Sequence, residues 1–362
     1  MAKMDEMNIL GLDVGGANTK AALILFRKSK IYKSFSYIEY FPFWEKSLSQ
    51  IPEMFNRIVL NIIEKNALTL EKIDFIVVTI TAELSDAFQT KREGILKILE
   101  ALKKVFDEEK LKFITNQIKF VDYTTAKSDY YSIAAANWAS TAIFLGQFMS
   151  QCILIDAGST TIDIVPIINA VPVQQGKDDI SRLINHELVY TGGLRATIPS
   201  ITHHVPYKGK YLRISFEKFA FISDVHRILN NISEEDYISD TADNRSKSLE
   251  NCYARLSRVI CMDIETISKE DLDVIANYIY QKQIGIIIRE IRLFLDNLII
   301  RFRDFKNNPK FVITGLSADF LIRKSLEKLG YNNISSYEEI TQIPNRINSS
   351  AFAIAGAFYY QL

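Results

Sequence analysis

The chain has 362 residues, 48% of them hydrophobic, and its 43 Lys and Arg balance 43 Asp and Glu. That apolar content excludes intrinsic disorder, the zero net charge leaves no electrostatic footprint for a nucleic-acid backbone, and no run of like charges forms a binding tail. Three cysteines and four scattered histidines without CxxC or HxxxH spacing make neither a disulfide framework nor a zinc site, which points to a reducing cytoplasm.

At about 150 residues per domain the length predicts two domains. Asp5 and Glu6 stand where an export signal needs a basic start and an apolar core, so export is not expected. Residues 9–14, 19–26 and 31–40 alternate with turns and predict a meander of strands. Ile51, Phe55, Ile58, Val59 and Ile62 form one stripe of a helix over residues 51–65, and residues 73–81 read as a buried strand running into polar residues 79–86. Strand, helix, strand predicts an α/β fold. A second amphipathic helix is expected over 95–106, a short strand over 118–122 and a small-residue helix over 130–148. Residues 130–155 carry no charge, yet Asn137, Ser140, Thr141, Gln147, Ser150 and Gln151 interrupt them, which argues for a buried helix and strand against a membrane span.

Residues 152–166 then repeat the order of residues 9–23: an apolar strand, an Asp, a small residue, a Gly, three small or polar residues and a second strand. Asp13 and Asp156 stand about one domain length apart, so the repeat implies two similar halves. Further on, Ser268 to Asp271 has the spacing of a capping box at the head of a long helix running to about residue 305. Residues 311–314 form a buried strand that ends in Gly315, and the small apolar residues after Arg346 predict a closely packed C-terminal helix.

A strand that ends in Asp and turns through Gly into a second strand offers backbone N–H groups and small hydroxyls to a phosphate. The candidates are Gly15, Gly16, Asn18, Thr19 and Lys20 in the first copy and Gly158, Ser159, Thr160 and Thr161 in the second, with Asp13 and Asp156 as Mg²⁺ ligands. Plain hairpin turns are the competing reading, which an Asp at the same offset in both copies disfavours. Glu83 and Asp86 read as site residues or as caps of the following helix. Lys20 and Arg195 are clamps for anionic oxygens or solvated surface charges, while Asp240, Asp243 and Arg245 make an acid-rich loop that adds a metal ligand or caps a helix. Trp138 reads as a packed aromatic with Asn137 beside it, and His203-His204 as a loop feature.

GLDVGGANTKAA, LIDAGSTTIDIVP and VITGLSADF resemble the two phosphate motifs and a reduced adenosine motif of the sugar kinase, actin and Hsp70 superfamily. With TITAELSDAFQTKREG, AAANWAS, HELVYTG, SDTADNR and ARLSRVICMD, the chain is similar along nearly its whole length to short members of the hydantoinase/oxoprolinase-like family. Members commonly have Gly where this chain has His186 and Asn244, and an Arg-Thr-Pro triplet where it has residues 193–199.

The resemblance implies an α/β fold of two ribonuclease-H-like domains, residues 1–148 plus 346–362 and residues 149–345, flanking a central cleft. It implies a cytoplasmic transferase of methanofuran biosynthesis, which joins an aminomethyl-furan methyl diphosphate to the phenol of γ-glutamyltyramine and releases diphosphate. Asp13, Asp156 and Glu83 would be its catalytic residues and Gly315 a further phosphate contact. Asp163, Arg182, Glu187, Arg195 and Asp243 would contact substrate. Mg²⁺ is the expected cofactor, ATP is not expected, and the partners are two small molecules with neither nucleic acid nor membrane. An ATP-dependent kinase or oxoprolinase-type enzyme is the alternative use of the same loops.

Overall fold

The computed structural model describes residues 6–28, 30–344 and 347–362. It divides into two compact units, one of Met1–Cys152, Val165–Ser181 and Tyr337–Leu362, the other of Ile153–Ile164 and Arg182–Ser336. The chain returns to the first unit at Tyr337 and also lends it Val165–Ser181, whereas residues 149–345 were expected to form the second domain without interruption and the return to come at residue 346.

The first unit is built on six strands: β1 (Glu6–Val14), β2 (Asn18–Arg27), β3 (Lys30–Tyr40), β4 (Phe75–Ile80), β5 (Leu111–Ile114) and β6 (Phe120–Asp122), in the order β3-β2-β1-β4-β5-β6. The three N-terminal strands form the antiparallel meander expected from their spacing, and β1 pairs parallel with β4. Alternation along β1 sends Leu10, Leu12 and Val14 into a core shared with Phe55 and Ile58 of the helix Ile51–Ile58 and with Ile95 and Leu99 of the helix Lys91–Val105. The opposite face meets the C-terminal helix Ser349–Gln361. Gly11 makes that approach possible, because a Cβ there would stand 2.1 Å from the Ala351 carbonyl oxygen. Two residues further along the same face comes Asp13.

A second sheet, most of it in the second unit, consists of β7 (Cys152–Ala157), β8 (Ile162–Ile168), β10 (Leu188–Val189), β13 (Phe311–Thr314) and β14 (Ile334–Ser336), in the order β10-β8-β7-β13-β14, with the short β9 (Val171–Pro172) hairpinned onto β8; Val165–Ile168 of β8 and all of β9 fall in the first unit. The path of this sheet matches β3-β2-β1-β4-β5 of the first sheet strand for strand, and β6 has no counterpart. The central strand carries the Asp, the strand after the loop lies on one side, and a parallel strand lies on the other. The second unit also carries a hairpin, β11 (His204–Tyr207) with β12 (Lys210–Arg213), and the helices Ile222–Ile228, Leu249–Arg258 and Lys269–Arg301. Ser268 caps the last of these, its hydroxyl accepting from Asp271 N at 3.1 Å.

One expected element is much shorter than its pattern. The helix expected over 130–148 spans Asn137–Gly146 after a single turn, Tyr130–Ile133. Ala134 bridges to Ile80 in the sheet and Ala135 sits at φ +48°, so the backbone between them cannot be helical. Among the described residues no helix is long and apolar enough to cross a membrane.

Candidate functional site

In the first unit the antiparallel register sets Lys20 opposite Asp13, and the parallel register sets Thr79 on its other side. Asp13 is buried. Its Oδ2 accepts from the Ser350 hydroxyl at 2.5 Å and lies 3.8 Å from Lys20 Nζ, while Oδ1 has no hydrogen-bond partner among the described residues. The Thr79 hydroxyl and one Glu83 oxygen are likewise buried without a partner. Buried polar atoms are nearly always satisfied, so the orphans of Asp13 and Thr79, neighbours across the sheet, mark a place where a ligand, an ion or water completes the bonding. The turn after β1 is closed by Gly15 N donating to the Asn18 carbonyl at 3.2 Å, and a Cβ on Gly15 would stand 2.8 Å from that oxygen. Thr19 is turned away from the loop: it is fully buried, with its hydroxyl against Met54 Sδ at 3.4 Å.

Glu83 follows β4 on the stretch that leads to the helix Lys91–Val105. It is not that helix's cap, and neither is the exposed Asp86. Thr90 caps it, its hydroxyl accepting from Glu93 N at 3.1 Å. Glu83 is buried, and burial pushes its carboxyl up to about 7 against the opposing pull of its own backbone and of Lys91, while Asp179 adds to the rise. Lys91 Nζ stands 3.9 Å from Glu83 Oε1 and 3.1 Å from Asp179 Oδ2. Nothing in the residue pattern pointed to Asp179, because its partner Lys91 stands 88 positions away.

In the second unit the loop Gly158–Thr161 is held by its carbonyls. Ala157 O accepts from Ser317 N and from the Ser317 hydroxyl, which also reaches Gly158 O. Gly193 N donates to Gly158 O, Leu194 N and Arg195 N to Ser159 O, and Gly192 N to Thr160 O, at 2.9–3.1 Å. With the carbonyls of residues 157–160 drawn to one side and Gly158 N taken up by the Thr161 carbonyl at 2.9 Å, the N–H groups of Ser159 and Thr160 and the loop hydroxyls are what is left to meet an anion. Gly315, at φ +91°, follows β13 beside Asp156, and a Cβ there would lie 2.4 Å from Ala157 O and 2.7 Å from Asp156 Oδ1. Gly315→Ala is therefore expected to cost both stability and turnover. A urea titration and steady-state rates check this, and wild-type values in both would contradict it.

Other residues expected at the site are bound to one another. Asp163 Oδ1 pairs with Arg182 Nη1 at 2.7 Å, and Arg182 Nη2 donates to the Glu187 carbonyl at 3.0 Å, all three being buried. Asp243 accepts from Arg255 at 3.1 Å and Arg258 at 2.9 Å. Burial alone would raise its carboxyl, but these bonds hold it below the usual range. These contacts brace the unit. Arg195 is exposed, and its backbone N–H is among those that hold the loop. His186 and Asn244, where the resemblance led us to expect Gly, sit at φ +57° and +58°, a left-handed backbone that Gly adopts most readily.

Among the described residues no three or more His, Cys, Asp or Glu side chains are grouped to hold a metal. A lone carboxylate with an unpartnered oxygen fits a cation that completes its shell with phosphate oxygens and water, which is the habit of Mg²⁺.

Two sheets of the same ribonuclease-H-like order, each with an Asp near the end of its central strand and a glycine turn after it, give the chain the fold of the sugar kinase, actin and Hsp70 superfamily. A nucleotide-free acetone carboxylase shares this fold with a TM-score of 0.53 at 12% identity, over 97% of this chain and 70% of that one. Residues 74–358 match the hydantoinase/oxoprolinase family, and the chain belongs to it. It is 34% identical over 360 residues, 99% of both chains, to the (4-{4-[2-(γ-L-glutamylamino)ethyl]phenoxymethyl}furan-2-yl)methanamine synthase of Methanocaldococcus jannaschii. It is 32% identical to the Methanococcus vannielii protein of the same name, over 52% of this chain and 82% of that one.

Proposed function

We propose that this protein is a transferase of methanofuran biosynthesis. It joins an aminomethyl-furan methyl diphosphate to the phenol oxygen of γ-glutamyltyramine and releases diphosphate. The observation that carries this reading is the end-to-end likeness to a relative whose product contains a phenoxymethyl-furan link. In the reaction the bond between the furan methylene carbon and the diphosphate oxygen breaks, and its electron pair leaves with diphosphate. The phenol oxygen bonds to that carbon, and its proton passes to Glu83.

Several features support this reading. The N–H side of the loop Gly158–Thr161 takes the leaving diphosphate, whose developing charge is stabilised by donors fixed beforehand. Asp13 in the first unit and Asp156 in the second are each a candidate carboxylate for Mg²⁺, which when bound would neutralise phosphate charge. The furan ring delocalises positive charge at the methylene carbon, so the site has to keep out water that would capture it. A carboxylate titrating at about 7 is ionised in part at neutral pH and accepts a proton more readily than an ordinary one. The reaction consumes two small molecules in the cytoplasm and needs neither ATP nor nucleic acid nor a membrane.

Purified protein given the furan diphosphate, γ-glutamyltyramine and Mg²⁺ is expected to form the ether and release one diphosphate per ether without ATP. An analogue lacking the phenol hydroxyl is expected to give none. ATP hydrolysis dependent on a small amide or hydroxyl substrate, with no ether formed, would instead support a kinase or oxoprolinase-type enzyme.

A further inference from the structure

Gly192–Arg195, the segment that draws back the carbonyls of the phosphate loop, is itself held from behind by a buried polar chain. Gln283, on the helix Lys269–Arg301, is fully buried, and its Nε2 donates to the Thr191 carbonyl at 3.3 Å, the Thr191 hydroxyl at 3.1 Å and the Gly192 carbonyl at 3.1 Å. Carbonyl oxygens only accept, so the amide nitrogen of Gln283 has to face this segment and its Oε1 has to face away. Oε1 meets His226 Nε2 at 3.0 Å. That nitrogen therefore carries the ring proton, and His226 Nδ1 accepts from the Asn231 amide at 3.1 Å. Burial holds His226 down to about 3, so the imidazole stays neutral and keeps this tautomer across the working pH range.

The segment leaves no slack to absorb a shift. A Cβ on Gly192 would stand 2.6 Å from both Ser159 C and Thr160 N, so the backbones of segment and loop are already in contact. A displacement of Thr191 or Gly192 is thus passed directly to the amides that a phosphate would meet. In a close-packed interior a displaced backbone moves its neighbours with it.

We propose that Gln283, oriented by His226, is a positioning residue for diphosphate: it fixes the Thr191–Gly192 backbone and, through it, the N–H groups of Ser159 and Thr160. Neither side chain touches substrate. The proposal rests on the assignment of diphosphate to the loop Gly158–Thr161.

The test is the affinity of inorganic diphosphate with Mg²⁺, by calorimetry, for wild type, Gln283→Leu and His226→Phe, together with the KM of each substrate. Gln283→Leu removes all three bonds to the segment. His226→Phe keeps a ring packed against Phe320, whose centroid lies 4.6 Å away, and leaves the bonds of Gln283 to the segment in place, while it removes the proton that orients Gln283 and the acceptor for the Asn231 amide. The expected result is diphosphate binding weakened about tenfold or more in Gln283→Leu and several-fold in His226→Phe. KM for the furan diphosphate should rise in parallel, and KM for the phenol should not change. Folded His226→Phe protein with wild-type diphosphate affinity would overturn the proposal, as would an equal rise in both KM values. If wild type itself fails to bind diphosphate, the loop assignment fails, and the proposal with it, a result that the comparison of variants cannot mimic.

Discussion

Glu83→Gln is expected to lower turnover by about 10²- to 10⁴-fold, the usual contribution of a positioned acid or base, while making the protein more stable at alkaline pH. The sign follows from burial. The folded protein holds Glu83 up to about 7 against an ordinary value of 4.5, so folding favours the protonated carboxyl. That preference is fully present below pH 4.5 and is no cost there, but stability is lost as pH rises between 4.5 and about 7 and Glu83 ionises. The loss is on the order of 3 kcal/mol at 1.36 kcal/mol per pH unit. Gln imitates the neutral acid, so the variant should melt with wild type near pH 5 and above it near pH 8. In wild type, kcat/KM should rise with pH through about 7 as the base forms. Thermal melts at the two pH values and a pH–rate profile check this. Equal melting at pH 8 together with undiminished turnover would remove Glu83 from the chemistry.

Asp13→Asn and Asp156→Asn are each expected to abolish turnover, by about 10²-fold or more, with little change in melting temperature. Asn keeps the shape and, at residue 13, an oxygen for the Ser350 hydroxyl, so the fold loses little. What disappears is the negative charge that Mg²⁺ requires. Lys20 is 3.8 Å from Asp13, too long for a hydrogen bond, so breaking that ion pair should not dominate the stability. Rates measured against Mg²⁺ concentration for each variant are the check. Near-normal rates in both would place the reaction elsewhere in the protein.

Features that depend on neighbours in sequence were legible. The strand–Asp–Gly–strand repeat marked the same point in two sheets of the same order, and the small residues Ala351, Ala353, Ala355, Gly356 and Ala357 announced a helix that packs closely, which it does against β1 and β2. Features that depend on partners far along the chain were not. Asp163 and Arg182 were expected at the substrate from the family resemblance, and their bond to each other across 19 positions is something no local pattern declares. Glu83 was visible as a polar residue after a buried strand, but its partnership with Lys91 and Asp179 comes from a second segment 88 positions beyond Lys91. Thr19 shows the limit of motif reading from the other side. It occupies the phosphate motif, and strand alternation buries it against Met54. The strands β5, β10, β11 and β12 are two to four residues long, too short for any periodicity to declare them.

The central claim is that the furan carbon moves and the phosphorus does not, and the fate of the oxygens tests it most directly. γ-Glutamyltyramine carrying isotopically heavy oxygen in its phenol is incubated with the protein, Mg²⁺ and the furan diphosphate, and both products are weighed by mass spectrometry. Attack of the phenol on carbon predicts an ether that retains all of the heavy oxygen and diphosphate that contains none. Heavy oxygen in diphosphate or in a phosphorylated phenol, or an ether formed without it, would contradict the account.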